Sequence, residues 1–549
     1  MMPAKEARPL IGLLTRNIRE ENGKLIASGL CILKFSGKKK VIDTERVRID
    51  VPVCRNAAKL SFSKRYGTPA PMGYRLNSYR MEFDIAEVRD FDIQNKLLVV
   101  YTDEKGVEYS GRVLYDAADL RHGKNKNSKI FVHDDFSVYF RQNIHNTTFL
   151  TVRDPNQYDY PEGQKRIEKA HRRAAKMKDS DIVLLYEKKC QKYEESASVL
   201  YEKLIDMGYE NVYFIVDKSI PAVQELPEKY KKNLIDKDSD QHLEYFFASN
   251  KFISTETIEH ALQLRVANKY AQDKINTNTG DMMYVFLQHG PTYMVSLNMD
   301  LRNGFRKKTD YKLHKTVVSS KLEAEHFIEL GGMSMDDLYI TGMAKFDRSV
   351  RNEGADRIVI MPTWRRWETN QARDDIKQTN YYRMVRLMYE SVPEDLRDKV
   401  IILPHPLMAE RFADIPADSE DSEFSSKILI TDRYEPVLRD CEVLITDYSS
   451  ISYDAYYRGA KVVFYWAEKD ECMTHYGEGT KLMLNLDNVF GPVAMTGPEI
   501  TAAIRETYGK EQDPVYLDRY SKIIEFHDGK NTERIIEHLI KDGVLTELK

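Results

Sequence analysis

The sequence predicts an α/β protein in which an antiparallel β-domain precedes two successive doubly wound parallel lobes. Three observations carry this. Residues from about 23 to 154 alternate apolar and polar positions between turn signals, the period of half-buried strands. From 181 onward, short continuous apolar runs alternate with helix-spaced segments, as in parallel strands joined by crossover helices. The series restarts after a loose stretch near 345–356, so two lobes are expected rather than one long sheet.

Taken in order, the strands of the first region are expected at 26–33, 47–51, 81–85, 96–101 and 136–140, and an antiparallel sandwich fits them. The Lys38-Lys39-Lys40 run reads as a solvated turn. Residues 161–178 form a helix pattern dense in Lys165, Arg166, Lys169, Arg172, Arg173, Lys176 and Lys178. It reads either as a solvated linker helix, the reading preferred here, or as a surface that attracts acidic lipid head groups or a polyanionic acceptor. The first lobe follows with strands at 182–186, 212–216, 252–254, 284–287, 316–318 and 338–340, and helices at 194–207 and through 222–249. The second has strands at 358–361, 400–403, 428–430, 443–447 and 462–465. This gives four segments: a β-rich domain over 1–154, a basic linker helix over 155–180, a first lobe over 181–345 and a second over 346–549.

Composition narrows the function classes. The chain has 549 residues, too many for one core. Apolar content of 42% and charged content of 31% describe a globular chain, and a net charge of −4 gives no global attraction to nucleic acid. The cysteines, Cys31, Cys54, Cys190, Cys441 and Cys472, lack metal-type spacing and fit a reduced compartment. No run approaches membrane-spanning length, and the first residues lack the order of a signal peptide. Any membrane contact is expected to be peripheral and on the cytoplasmic side.

Chemistry-bearing residues cluster where strands end, which is where ligands bind in such sheets. Strand 284–287 runs into Gln288-His289-Gly290, and 358–361 into Pro362-Thr363-Trp364-Arg365. Strand 400–403 runs into Pro404-His405-Pro406, and 443–445 into Thr446-Asp447-Tyr448-Ser449-Ser450. Asp447 and Ser449 are residue types that cap helices, and the following helix reads either as a phosphate seat or as an ordinary crossover helix. Gly290 allows close approach of a backbone, and Pro404 and Pro406 fix the path around His405.

Together these motifs resemble the CDP-glycerol:polyglycerophosphate glycerophosphotransferases, the teichoic acid polymerases and primases. The resemblance covers roughly 181–540. Besides the loops above it rests on Asp300, on Thr341-Gly342 through Lys345-Phe346-Asp347-Arg348, on Gly491-Pro492-Val493, and on Asp528-Gly529-Lys530 with Glu533-Arg534. It implies the GT-B fold, two Rossmann-like lobes with the active site between them. It further implies transfer of an alditol phosphate, glycerol or ribitol, from a CDP-alditol to a polyol-phosphate or lipid-linked glycan acceptor, with release of CMP. His289 matches the family's essential histidine of the first lobe and is expected to be the base; His405 matches the second and is expected at the diphosphate. Gly290, Lys345, Thr363, Arg365, Pro406, Thr446, Asp447, Ser449 and Ser450 are expected to bind substrate. Arg365 would serve as a charge clamp and Asp447 as a helix cap rather than an anion contact.

No resident cofactor or metal site is expected, and Mg²⁺ is admitted only through the donor's phosphates. Peripheral contact with an anionic membrane and a homo-oligomer are left open; nucleic acid is not expected as a partner. Three departures from the family stand out. Pro291-Thr292-Tyr293-Met294 replaces the Thr-Pro-Leu-Lys of many members, Lys345 stands where arginine is frequent, and the β-domain replaces a helical membrane-anchoring region. Two other readings remain: a GT-B glycosyltransferase using a nucleotide sugar, and a non-catalytic polymer- or nucleotide-binding protein.

Overall fold

The computed structural model describes residues 10–34, 44–51, 58–63, 75–88, 95–115, 126–127, 129–142, 147–177, 181–262, 266, 268–276, 280–297, 307–368, 371–372, 375–413, 422–431, 433–477 and 479–548. Lys38-Lys39-Lys40, Cys54, Lys178 and Asp300 lie outside the described residues. The chain divides into two compact units, Met1–Lys178 with Gln263–Thr279, and Asp179–Leu262 with Gly280–Lys549.

The first unit is β-rich, with two sheets sharing one core. A seven-stranded sheet has the order Val47–Asp50, Leu98–Thr102, Glu108–Tyr115, Leu10–Glu21, Lys24–Lys34, Arg75–Asp84, Ala58–Ser63. A smaller sheet is built on Ser137–Gln142 and Thr148–Arg153. Leu25, Phe83 and Val113 of the larger sheet pack with Phe140 and Val152 of the smaller in one buried cluster. The expected purely antiparallel domain needs correction at one pairing: Gly12–Thr15 run parallel to Arg112–Tyr115. The opening strand, absent from the sequence reading, turns at Asn22-Gly23. Both residues have left-handed φ, 52° and 71°, and the pair joins Glu21 directly to Lys24. That is the two-residue turn whose twist matches paired strands. Helix Pro161–Ala174 belongs to this unit and packs its small apolar face toward Lys269–Asn276.

The second unit holds two parallel sheets. In the first the order is Leu234–Asp236, Val212–Val216, Val183–Tyr186, Lys251–Ser254, Met283–Phe286, Leu313–Val318, Leu338–Ile340. The chain winds outward from Val183–Tyr186 in one direction, then resumes on its other side at Lys251–Ser254. That reversal is the topological switch point where such sheets open a ligand crevice. The stretch 222–249, expected to be helical throughout, contains the strand Leu234–Asp236, whose Leu234 and Ile235 are buried at the sheet edge.

The second sheet runs Val400–Ile402, Arg357–Ile360, Cys441–Thr446, Lys461–Tyr465, Val493–Ala494. Its switch point lies between Arg357–Ile360 and Cys441–Thr446. Cys441–Thr446 is buried at every position, as the apolar run Val443–Ile445 at its centre predicts. The expected strand at 428–430 reduces to one bridge, Ile402 with Ile428, because Leu429 and Ile430 face solvent. The helix Asn531–Lys541, expected with the second lobe, instead packs Ile535, Ile536 and Leu539 into the first lobe's core against Leu200 and Leu204. Asp347 fastens it, accepting hydrogen bonds from Asn531 N at 3.0 Å, Thr532 N at 2.7 Å and Thr532 Oγ1 at 2.6 Å. Gly342 makes room for it: a Cβ there would stand 2.5 Å from Asn531 Oδ1.

Candidate active site

Both switch points of the second unit open onto one cleft of about 710 Å³, lined by His289, Lys345, His405, Ser449 and Ser450 among others. His289 follows Met283–Phe286 through Gln288, a residue other than glycine with φ 60°. That left-handed backbone is costly, on the order of 1–2 kcal/mol, and must be held in place. The hold is visible. The buried Gln288 amide donates to Val317 O at 2.6 Å and to Glu323 Oε1 at 3.2 Å. Glu323, itself buried, also accepts from Thr292 N at 2.7 Å and Ser319 N at 2.6 Å. The loop is thus tied at both ends, and His289 is aimed by the turn.

The imidazole of His289 is bracketed by carboxylates that the sequence reading missed. Nδ1 lies 3.0 Å from Glu195 Oε2, and Nε2 lies 4.0 Å from Glu256 Oε1. A carboxylate can only accept, so Nδ1 carries the proton and Nε2 presents its lone pair. Desolvation opposes a charge on this ring, but the Glu195 carboxylate outweighs it through its charge and its hydrogen bond, and the pKa is raised. Glu195 is buried and is also paired with Lys188 Nζ at 3.0 Å. Lys188, Lys189 and Cys190 form a left-handed turn, with φ of 41°, 59° and 58°, at the end of Val183–Tyr186. Lys189 N donates to Glu256. Strained backbone therefore sets both carboxylates around one ring. For Glu256 the signal was available: it sits just past the strand 252–254, the same position that drew attention to His289 and His405.

Lys345 joins the lobes. Its Nζ donates to His289 O at 2.8 Å and lies 2.8 Å from Asp454 Oδ1 on helix Ile451–Tyr457. Asp454 Oδ2 lies at 3.0 Å as well, so both carboxylate oxygens and the His289 carbonyl hold the ammonium at the cleft wall. Gly290 lies beside it: a Cβ there would come to 3.6 Å from Lys345 Nζ and 3.7 Å from Ser450 Oγ, filling the narrow floor between them. Ser450 is exposed to the cleft and Ser449 half-buried. Helix Ile451–Tyr457 is only seven residues long, so its dipole is a minor source of positive potential. On the other wall, His405 precedes helix Pro406–Ala413, which Pro406 opens. His405 N donates to Tyr381 OH at 3.1 Å, and its ring stacks on Trp364 with centroids 5.4 Å apart. Burial pushes the His405 pKa down to about 4, so the ring is a neutral hydrogen-bond donor near pH 7.

Of the nine expected binding residues, Lys345, Ser449 and Ser450 line the cleft, Gly290 and Pro406 adjoin the lining histidines, and Thr363, Arg365, Thr446 and Asp447 stand away from it. Arg365 is 1% exposed, and its guanidinium is consumed within the second lobe. Nη1 donates to Asp447 Oδ2 at 2.7 Å and Thr363 O at 2.7 Å, while Nη2 donates to Glu468 Oε2 at 2.8 Å. A guanidinium with its donors turned inward cannot clamp a diphosphate. Asp447, fully buried, accepts from Arg365, from Thr363 N at 2.8 Å and from Tyr448 N at 2.6 Å, and it does not cap the next helix. The N-cap is Ser450, without a side-chain cap bond. Thr446 Oγ1 donates to Met361 O at 2.7 Å inside the sheet. Thr363 Oγ1 is buried with no hydrogen-bond partner, and its main chain serves the same network. These residues brace the two strand ends across the switch point.

Among the described residues, no helix is long and apolar enough to cross a membrane. The minor teichoic acid biosynthesis protein GgaB of Bacillus subtilis is 24% identical over 275 residues, 47% of this chain and 28% of that protein. The teichoic acid poly(ribitol-phosphate) polymerase of Bacillus spizizenii is 24% identical over 248 residues, 41% of this chain and 37% of that protein. The chain therefore spans well under half the length of either relative. The solved wall teichoic acid polymerase TagF aligns over 70% of this chain and 98% of its own, at 15% identity and a TM-score of 0.47. The family model described as CDP-glycerol:poly(glycerophosphate) glycerophosphotransferase matches residues 169–541, both parallel sheets and the whole cleft. The chain belongs to the CDP-glycerol:poly(glycerophosphate) glycerophosphotransferase family of transferases.

Proposed function

We propose that this protein transfers an alditol phosphate from a CDP-alditol to a hydroxyl of a polyol-phosphate or glycan acceptor, releasing CMP, in the synthesis of a teichoic acid or a similar surface polymer. The observation that carries the reading is the Glu195–His289 pair, 3.0 Å apart, in a cleft also lined by His405, Lys345 and Ser450. A hydroxyl is a poor nucleophile at neutral pH and needs a positioned base. His289 Nε2 takes its proton while Glu195 holds Nδ1–H and stabilises the imidazolium that forms. The acceptor oxygen forms a bond to the β-phosphorus of the donor. The bond from that phosphorus to the bridging oxygen breaks, and CMP leaves with the electron pair. His405, Ser449 and Ser450 donate hydrogen bonds to the diphosphate, and Lys345 supplies the positive charge that Arg365 does not.

The test is CMP release with CDP-glycerol, CDP-ribitol and common nucleotide sugars, each with and without a phosphopolyol acceptor. Acceptor-dependent CMP from a CDP-alditol is expected, falling at least about 100-fold in His289→Ala and in His405→Ala. Full turnover in both variants would overturn the assignment. Turnover of a nucleotide sugar in place of a CDP-alditol would replace the reaction with glycosyl transfer.

A further inference from the structure

Helix Pro161–Ala174 and the turn Ala175–Met177 that continues it carry a charge pattern that the cleft does not use. Gly163, Ile167, Ala170 and Ala174 are buried, at the helical spacing i, i+4, i+7, i+11. Lys165, Lys169, Arg172 and Lys176 repeat the same spacing two residues on, and all four are exposed. At 100° per residue the two rows lie on opposite sides of the helix. The cationic row is therefore the face turned most directly away from the first unit's own core. Among the described residues none of these four cations has an ion-pair partner, although Glu162 and Glu168 lie on the same exposed half of the helix. Like charges at i and i+4 repel, so Lys165 with Lys169, and Arg172 with Lys176, weaken the helix unless an anion lies over them.

The shape of the row selects the kind of anion. It is one side chain wide, bordered by acidic Glu162 and Glu168 with Arg166 and Arg173 farther round on the Glu162 side, and its cations rise in steps of about 6, 4.5 and 6 Å along the axis. A helix that lies in a lipid surface does so with its apolar face in the lipid; here that face is buried in protein, and no large apolar residue stands among the exposed cations. A flat, evenly charged surface gains little from a narrow row with acidic borders. A flexible thread with one negative charge per repeat can lie along it. We propose that Lys165, Lys169, Arg172 and Lys176 form a track that holds a linear phosphodiester polyanion, the acceptor polymer of the reaction above. The polymer's identity rests on that reading; the binding does not, since it is measured without donor or turnover.

The experiment uses the full chain and three probes: purified poly(glycerol phosphate), inorganic polyphosphate, and vesicles containing phosphatidylglycerol. Replacing all four residues by Glu is expected to weaken binding of both polymers at least about tenfold at moderate salt. A charge-retaining variant, Lys165→Arg with Lys169→Arg and Lys176→Arg, should bind as the unaltered chain does, and added salt should erase the difference. CMP release with a short acceptor should be unchanged in the Glu variant, which also confirms that it folds. If no CDP-alditol is turned over but polymer binding is lost in the Glu variant, the track stands and the catalytic reading fails. Polymer binding that is absent from the unaltered chain, or equal in the Glu variant, overturns the track. Loss confined to vesicle binding overturns it as well and assigns the row to lipid head groups.

Discussion

The chemistry of the cleft turns on the environment of one ring. His289 alone would titrate near 6.5, and Glu195 at 3.0 Å raises that value despite desolvation. A base must be unprotonated, so turnover should fall as pH drops through the raised pKa. In Glu195→Gln the carboxylate charge is gone, and the acid limb of the kcat profile should move to lower pH. The amide can also donate to Nδ1 and so favour the wrong tautomer, so kcat should fall at least about tenfold with KM nearly constant. A pH–rate profile of the variant decides this: an unmoved acid limb would mean that Glu195 only supports the fold. His405 sits at the other extreme, neutral by burial with a pKa of about 4. The two histidines are thus driven apart, one toward taking a proton and the other toward donating a hydrogen bond.

Between the elements, the buried Arg365 network joins the ends of Arg357–Ile360 and Cys441–Thr446 through Asp447 and reaches Glu468. Removing the cation leaves Asp447 buried and unpaired. Arg365→Met should therefore cost about 3–5 kcal/mol of stability, seen as a lower urea midpoint. A normal midpoint with a raised donor KM would return Arg365 to the role of a clamp. This case shows what a sequence conveys. The residue types at a strand end are legible, because the β-α-β pattern fixes where strands stop; which way a side chain turns is decided by neighbours distant in the chain, here Glu468 and Met384. Asp447 and Thr446 turn inward for the same reason. His289 and His405 line the cleft because both follow strands at the open end of the sheets. Glu195 gave no such cue, because the eight residues 187–194, with the left-handed turn at 188–190, separate it from the end of Val183–Tyr186. The Asn22-Gly23 turn was legible in principle, but the polar stretch Thr15–Glu21 hid the strand before it.

Across the whole molecule, acid should be destabilising well before the exposed carboxylates are protonated. Burial lowers the pKa of His242, His260, His538, His314 and His405, the last two to about 3 and about 4. Unfolded, each would bind a proton near pH 6.5. Below that pH the unfolded chain holds more protons than the folded one, so stability falls as pH falls. His289, whose pKa is raised, and the buried carboxyls of Glu187 and Glu323, raised by desolvation (Glu187 to about 8), act in the opposite sense: each gives a contribution present in full below its unfolded pKa and lost as pH rises through the folded one. The five lowered rings outnumber these three, and the urea midpoint at pH 5 should lie below that at pH 7. An equal or higher midpoint at pH 5 would show that these rings gain protons without unfolding.

The clasp between Asp347 and Asn531–Lys541 bears on how the chain is made. Asp347 and Thr532 are 185 residues apart in sequence. At the usual pace of translation, about 5–20 residues per second, roughly 10–40 s separate their emergence from the ribosome. Throughout that interval the first lobe lacks Ile535, Ile536 and Leu539, and the groove against Leu200 and Leu204 stays uncovered. The lobe synthesised first is therefore completed last, and a chaperone that shields that groove would act during this window.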